Sequence, residues 1–462
     1  MTDSRPAGLA ALPERTRLLH IGPMKTGTSA LQTAARDRRQ QLLDHGVRYP
    51  GTRTNHRTEL GALLGISTVI RDRTEPLGPD NVEVDEGGVP EQRHWETLQR
   101  EIEAETERRI LLTHEFVSQA DELASRRVID ALGTDRLHVA ITVRAPTVIL
   151  PSFWSQNVKN AAESESLENW LHRLYTPQPG SELPAGFLRG YDQGELVQRW
   201  AKLVGPENVT VIVVDRTKQD LLTDTFETLL DLPNGLLAKE QDTNRSLSAT
   251  EAAVFRRLNR ELYDSDVDWR TYNRLVDHGA LVQGVLPRAT GTEPRLRLPE
   301  WANERAQQDG QRFAERIRES EARVVGDLEA LSGSAPTRTE TDDETIPTDI
   351  AVRALTGTVL AGRQERERIE KRAGKFEQRA TTAQTRNKKL TAERTELDRE
   401  LQRERKRTLR SRVRKLPRTK RIEHAVETHT TSELLTALGR RLPRTLSRTA
   451  SRTFNSALRS PR

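Results

Sequence analysis

Four short apolar runs punctuate the first half of the chain: Leu18 to Ile21, Ile110 to Thr113, Leu137 to Val143 and Val209 to Val214. Each is rich in Val, Ile or Leu and is separated from the next by polar sequence of helical period, the pattern of βαβ units around a buried parallel sheet. Helices are predicted over Thr28 to Asp44, Trp95 to Arg109, Pro146 to Ala162, Gln193 to Leu203, Thr217 to Leu230 and Ser248 to Leu262. The last opens Ser248-Ala249-Thr250-Glu251, the spacing of a capping box. An α/β fold with a doubly wound parallel sheet follows for residues 17–331, after a polar N-terminus at 1–16. Arg71 to Pro90 is acidic and rich in Gly and Pro, so it reads as a mobile excursion near the mouth of any site.

The pattern then changes. Around Ser332 to Thr348 the chain turns to Ser, Thr, Pro, Asp and Glu, which marks 332–349 as a linker. From 350 to 408 a heptad takes over. Ile369, Phe376, Ala383, Leu390 and Leu397 recur every seven residues, with Ala373, Ala380, Asn387, Arg394 and Leu401 at the intervening offsets. Val352, Leu355 and Val359 keep this register, although Gly362 and Arg366 interrupt it. The repeat predicts a helical coiled coil and hence a homodimer through 350–408, for which two parallel strands are the commonest outcome; the competing reading is a single solvated helix. The last segment, 409–462, spaces Leu434, Leu435, Leu438, Leu442, Leu446 and Phe454 among basic residues. Such a basic amphipathic tail suits an anionic membrane surface; without aromatic platforms, nucleic acid is the weaker partner, and a purely solubilising tail is an equal alternative.

Composition sharpens this division. Only 34% of the 462 residues are apolar, thin for a chain folded throughout into a core. From Arg403 to Arg462 there are 18 Lys and Arg against 4 Asp and Glu, so of the overall charge of +6 the tail holds +14 and the rest −8. With 12 lysines and 62 arginines, the arginine bias is general and need not report binding. Cysteine is absent, which excludes disulfides and thiolate metal sites. With no run near twenty apolar residues, a cytoplasmic protein is expected, peripheral at the inner face of the membrane if the tail binds there.

The chemistry is concentrated at the end of the first strand. Leu18-Leu19-His20-Ile21 runs into Gly22-Pro23-Met24-Lys25-Thr26-Gly27-Thr28-Ser29 and on into a helix. A glycine turn lets backbone N–H groups converge, a helix start adds unpaired donors and a positive dipole end, and Lys25, Thr26, Thr28 and Ser29 bring charge and hydroxyls. The ligand should be a phosphate or a group shaped like one. The turn is close to G-x-x-x-x-G-K-[ST], but Thr28 stands at the lysine position and the lysine comes two residues before Gly27. At the end of the strand Leu137 to Val143 stands Arg144, with Ser152 eight residues on. An arginine fork there suits a second phosphate.

The pattern P-x-K-T-G-T-S resembles the 5′-phosphosulfate loop of sulfotransferases that use 3′-phosphoadenosine 5′-phosphosulfate (PAPS), and the Arg144 to Ser152 spacing is similar to their 3′-phosphate site. The resemblance covers roughly 15–330 and is nearest to bacterial sulfotransferase-like proteins. It implies a P-loop-like sulfotransferase fold, PAPS as co-substrate bound by Gly22, Lys25, Thr26, Gly27, Thr28, Ser29, Arg144 and Ser152, no metal, and sulfuryl transfer to a hydroxyl or amine. The implied acceptor is a carbohydrate, a glycolipid or another hydroxylated metabolite. Two features of the cytosolic aryl and steroid branch are missing: Ala30-Leu31 follow the loop where that branch has an adenine-stacking tryptophan, and no late G-x-x-G-x-x-K element is found.

Transfer also needs a base. Lys25 suits the charge growing on the leaving oxygen, and three residues compete for the acceptor proton. Thr113-His114 looks like the T-H pair that supplies the catalytic histidine in cytosolic sulfotransferases. Glu115 is the alternative, since carbohydrate sulfotransferases often use a glutamate. His56 falls near where some of those place their base. A histidine titrates near neutrality, whereas a glutamate needs partial burial; Glu115 and His114 rank ahead of His56. Outside this class stand a P-loop kinase or nucleotidase, for which Val214-Asp215 is the one tempting magnesium strand end, and a non-catalytic scaffold acting through its coil and tail.

Overall fold

A computed structural model describes residues 6, 8–67, 88–215, 217–218, 220–238, 246–263, 265, 267–268, 271–287, 294–338 and 348–415. Its centre is a parallel sheet of six strands: β1 Arg17–Ile21, β2 Val47–Arg48, β3 Arg109–Thr113, β4 Leu137–Val143, β5 Val209–Val213 and β6 Arg323–Val325. They lie in the order β2-β3-β1-β4-β5-β6. The four apolar runs are the four inner strands. The two outer strands, Val47–Arg48 and Arg323–Val325, have no apolar run of their own, because an edge strand is short and half-covered. From β1 the chain goes to the edge as β2, returns as β3 between β2 and β1, and then crosses to the other side of β1 for β4, β5 and β6 in turn. The direction therefore reverses about β1, and the crevice beyond the carboxyl ends of β3, β1 and β4 is where an open α/β sheet takes a ligand.

Side chains alternate across this sheet, so each strand feeds two cores. Leu18, Leu111, Ala140 and Ile212 pack with Leu31, Ala34 and Ala35 of α1 (Thr28–Asp37), Leu42 of α2 (Arg39–Asp44) and Phe226, Leu229 and Leu230 of the helix Leu221–Leu230. Leu19, Ile21, Leu112, Val139, Ile141 and Val211 point the other way, into the larger core. There they meet α3 (Arg57–Leu64), α4 (Gln92–Ala104), α5 (Glu122–Leu132), α6 (Pro146–Lys159) and the helices Gln193–Val204 and Glu300–Glu319.

Two predicted helix boundaries moved for identifiable reasons. The helix expected over Thr28 to Asp44 breaks at Arg38, whose backbone leaves helical geometry, and this re-aims Leu42 into the core. The helix expected to run to Arg109 stops at Ala104, because Arg109 already belongs to β3. The capping box forms as read: Ser248 N–H donates to Glu251 Oε2 at 2.9 Å and Glu251 N–H to Ser248 Oγ at 3.2 Å. Of the excursion at Arg71 to Pro90, residues 71–87 lie outside the described residues, as does the tail from 416 on.

The helix Thr348–Lys415 starts inside the folded body, which runs through Arg366. Ile350, Ala354 and Ala361 are buried, and Arg274 pairs with Glu365. The closest contact is backbone on backbone. A Cβ on Gly357 would lie 2.1 Å from the carbonyl oxygen of Gly279, in the π-helix Tyr272–Val285. From 367 the helix is a second unit, and its described side chains are exposed. Among the described residues no helix is long and apolar enough to cross a membrane.

Gly357 and Gly374 share this helix but differ in surroundings, since nothing lies within 4 Å of a Cβ on Gly374. Gly357→Ala should destabilise the body by about 1–3 kcal/mol, the usual cost of overpacking. Gly374→Ala should be neutral or add about 0.5–1 kcal/mol of helix stability. Urea denaturation of the two variants checks the contrast; equal midpoints would mean that the Gly357 contact is not formed.

Candidate active site

The loop leaving β1 is held from below by polar side chains. Gly22 is buried with no room for a side chain: a Cβ there would come within 2.1 Å of Thr142 Oγ1. Thr26 Oγ1 donates to Pro23 O at 2.7 Å and lies 2.8 Å from Thr142 Oγ1. Lys25 (φ 74°) and Gly27 (φ 92°) take left-handed backbone, which turns the chain sharply. The helix α1 then begins at Thr28 with no side-chain cap on its first amides. Thr28 is buried, Ser29 exposed, and Lys25 half-buried with its ammonium donating to Gln156 Oε1 at 3.3 Å.

Arg144, 119 residues away in sequence, reaches the same loop. Its Nη1 donates to the Lys25 carbonyl at 2.9 Å. Its backbone is clamped on both sides by Gln193, whose amide oxygen accepts from Arg144 N–H at 2.7 Å and whose Nε2 donates to Arg144 O at 2.9 Å. Ser152 lies half-buried on α6, the helix that leaves this strand end.

Beneath the loop sits His20, fully buried in β1, with Nδ1 2.9 Å from Thr113 Oγ1 and Nε2 3.3 Å from Thr142 Oγ1. The partners fix the proton positions. Thr26 spends its hydroxyl hydrogen on Pro23, so it accepts from Thr142; Thr142 then accepts from His20 Nε2–H, and Thr113 donates to the bare Nδ1. Thr113 in turn lies 3.4 Å from Gln32 Nε2, which also donates to Glu115 Oε2 at 3.1 Å. Gln32 Oε1 accepts from Asn55 at 3.2 Å. A single chain of hydrogen bonds thus runs from the β1 loop to Glu115. It requires a neutral His20, and burial pushes that pKa down to about 3.

The three residues weighed as a base have different surroundings. His56 is buried with Nδ1 accepting from Thr113 N–H and Nε2 facing Pro50 O, both at 3.1 Å. Both nitrogens are used in joining the strand end to the next loop. His114 Nδ1 accepts from Phe116 N–H at 3.0 Å, so its proton lies on Nε2, 3.8 Å from Glu115 Oε2. Burial lowers both pKa values to about 4, leaving these rings neutral at pH 7. Glu115 goes the other way from a simple buried acid. Burial would raise its pKa, but His114, the backbone, Gln32 and the Arg57 guanidinium outweigh that and hold it below the usual carboxylate value. Arg57 itself stacks over Phe116, 5.1 Å from the ring centre.

Sequence reasoning missed His20, Gln32, Thr142, Gln156 and Gln193 as parts of this site. The signal for His20 was present, a polar ring inside an otherwise apolar strand. The glutamines carry no spacing that points to one another. Among the described residues no group of three or more His, Cys, Asp or Glu is arranged to hold a metal ion.

The fold and site together define a mixed α/β protein with a lysine-bearing glycine loop, an arginine and a carboxylate at the carboxyl ends of three adjacent central strands. No family model matches the chain, and no curated protein does. Among solved structures, a sulfotransferase from Alicyclobacillus acidocaldarius aligns at 18% identity with a TM-score of 0.34, over 56% of this chain and 100% of that one. At that identity and score the likeness says nothing of activity.

The neutral histidines make stability depend on pH. Unfolded, each returns to a pKa near 6.5, so between about 6.5 and 4 the unfolded chain binds more protons than the fold. Stability should be full above about pH 6.5 and fall as pH drops toward 4.5, by up to about 1.4 kcal/mol per unit for each of His20, His56 and His114. Buried acids with raised pKa values, such as Glu59 and Glu163, oppose this only nearer the carboxylate range. Urea midpoints measured from pH 7.5 to 5 check the slope; a flat profile would mean the rings are not held neutral.

Proposed function

We propose that the chain is a PAPS-dependent sulfotransferase. The observation that carries this reading is the convergence of Lys25, Arg144 and Glu115 at the strand ends flanking the switch point, with Arg144 bonded to the loop that carries Lys25. A donor with two separated phosphates needs two cationic sites on one sheet edge. In this reading the loop from Gly22 to Ser29 and the uncapped start of α1 take the 5′-phosphosulfate. Arg144, with Ser152 on α6, takes the 3′-phosphate, and guanidinium suits it because its fork can engage two oxygens.

Glu115 is the base. The acceptor hydroxyl gives its proton to the Glu115 carboxylate as its oxygen bonds to sulfur; the bond from sulfur to the phosphate oxygen breaks, and the Lys25 ammonium meets the charge left on that oxygen. The two histidines are unsuited to the task, because His56 and His114 each accept at Nδ1 from a backbone amide and carry their proton on Nε2. The acceptor class proposed is a hydroxylated carbohydrate, glycolipid or metabolite.

Calorimetry with 3′-phosphoadenosine 5′-phosphate, and with ATP with and without magnesium, tests the donor site. The bisphosphate should bind in preference to ATP, and Lys25→Ala and Arg144→Ala should each weaken it by about 10- to 100-fold. Glu115→Gln should leave this binding intact while lowering turnover by about 10²- to 10⁴-fold once an acceptor is found. Magnesium-dependent ATP binding that ignores Arg144 would overturn the proposal in favour of a nucleotide kinase.

A further inference from the structure

The exposed helix carries a seam that no part of the described chain covers. Ile369, Phe376, Leu390, Leu397 and Leu401 are 52 to 68% exposed, far from the burial such side chains favour. In heptad terms Ile369, Phe376, Ala383, Leu390, Leu397 and Glu404 are at d, and Arg366, Ala373, Ala380, Asn387, Arg394 and Leu401 are at a.

We propose that this seam pairs with a second copy of the chain, and that the two helices run antiparallel rather than parallel. Parallel pairing sets each seam residue against itself. Arg366, Arg394 and Glu404 would then each meet a like charge, Phe376 would meet Phe376, and the alanine layers would be underfilled. Antiparallel pairing sets a against d. In the register centred between Ala383 and Asn387, Arg366 faces Glu404 of the second copy, Ala373 faces Leu397, Ala380 faces Leu390, Asn387 faces Ala383, Arg394 faces Phe376 and Leu401 faces Ile369. Small meets large in two successive a positions, the end layers carry opposite charges, and the Arg394 guanidinium lies against an aromatic ring.

The flanking g positions agree in part. They read Arg372, Arg379, Arg386, Glu393 and Glu400. In this register Arg372 meets Glu400 and Arg379 meets Glu393 of the second copy, while Arg386 meets itself. At the e positions Glu370 meets Asp398, an unfavourable pair, so the seam layers rather than the flanks decide the orientation. The arrangement is a two-fold contact in which residue i touches j and j touches i, over about 57 Å of helix. It does not depend on the chemistry proposed for the folded body.

Because the chain has no cysteine, engineered thiols report this directly. Full-length Ile369→Cys and Leu401→Cys chains, carrying tags of different size, are co-expressed, purified and oxidised. A disulfide joining the two different chains is expected, with no disulfide dimer from either variant alone and a dimer mass for wild type by light scattering. Same-variant disulfides at both positions would establish parallel pairing and overturn the proposal. So would the absence of any disulfide, whether the wild type is monomeric or a dimer of another register.

Discussion

A neutral imidazole buried at the carboxyl end of β1 is the constraint on which the site depends. His20 lies between Thr113 of β3 and Thr142 of β4, its neighbours on either side, and so ties the ends of the three strands beneath the Lys25 loop. The ring spends one lone pair and one proton, and every hydroxyl around it is thereby given a direction. Buried polar groups are stable only when their partners are complete. Here completion extends from Pro23 through Thr26 and Thr142 to His20, and on through Thr113 and Gln32 to Glu115. The loop that bears Lys25 and the Glu115 carboxylate are thus positioned by one shared network, although they follow different strands.

The histidines beside the site are tied into the backbone in the same way. A histidine becomes a general base when one nitrogen is bare and aimed at the substrate. His56 and His114 have given their bare nitrogen to backbone amides at the end of β3, where strand pairing stops and N–H groups would otherwise be unsatisfied. Their burial keeps them neutral, which those bonds require. Glu115 is the group left with charge, and its neighbours favour the ionised form despite burial.

How much of this was legible in the sequence depended on range. The four inner strands showed as apolar runs because both faces are covered, and the Lys25 loop showed because a glycine turn between strand and helix is a local pattern. Arg144 was legible as the residue after a strand. The outer strands were not, since Val47–Arg48 and Arg323–Val325 are too short to have a period. Nor were Gln32, Gln156 and Gln193, each defined by a partner 83, 131 or 49 residues away. The compositional break after Ser332 also hid the return of the chain to the body, where Ile350 and Ala354 bury themselves and Gly357 meets Gly279. Two small residues in backbone contact leave almost no hydrophobic signal.

The body and the helix beyond Arg366 use polar groups for the same physical end at different scales. In the sheet, a buried His20 costs desolvation but admits only one arrangement of the strand ends and loop. On the helix, an uninterrupted leucine seam would bind more tightly but would tolerate several registers and both directions. In the proposed pair, Asn387, Arg394 and the alanines weaken the seam and thereby limit what it can pair with. Charged seam residues are tolerable only beside a complementary group, since a like charge at contact distance adds repulsion to desolvation. Unequal side chains at a and d carry a similar restriction, because they fill space only when each meets the other. Orientation is therefore written in the differences between the two seam positions, and the recurrence of apolar residues alone does not reveal it.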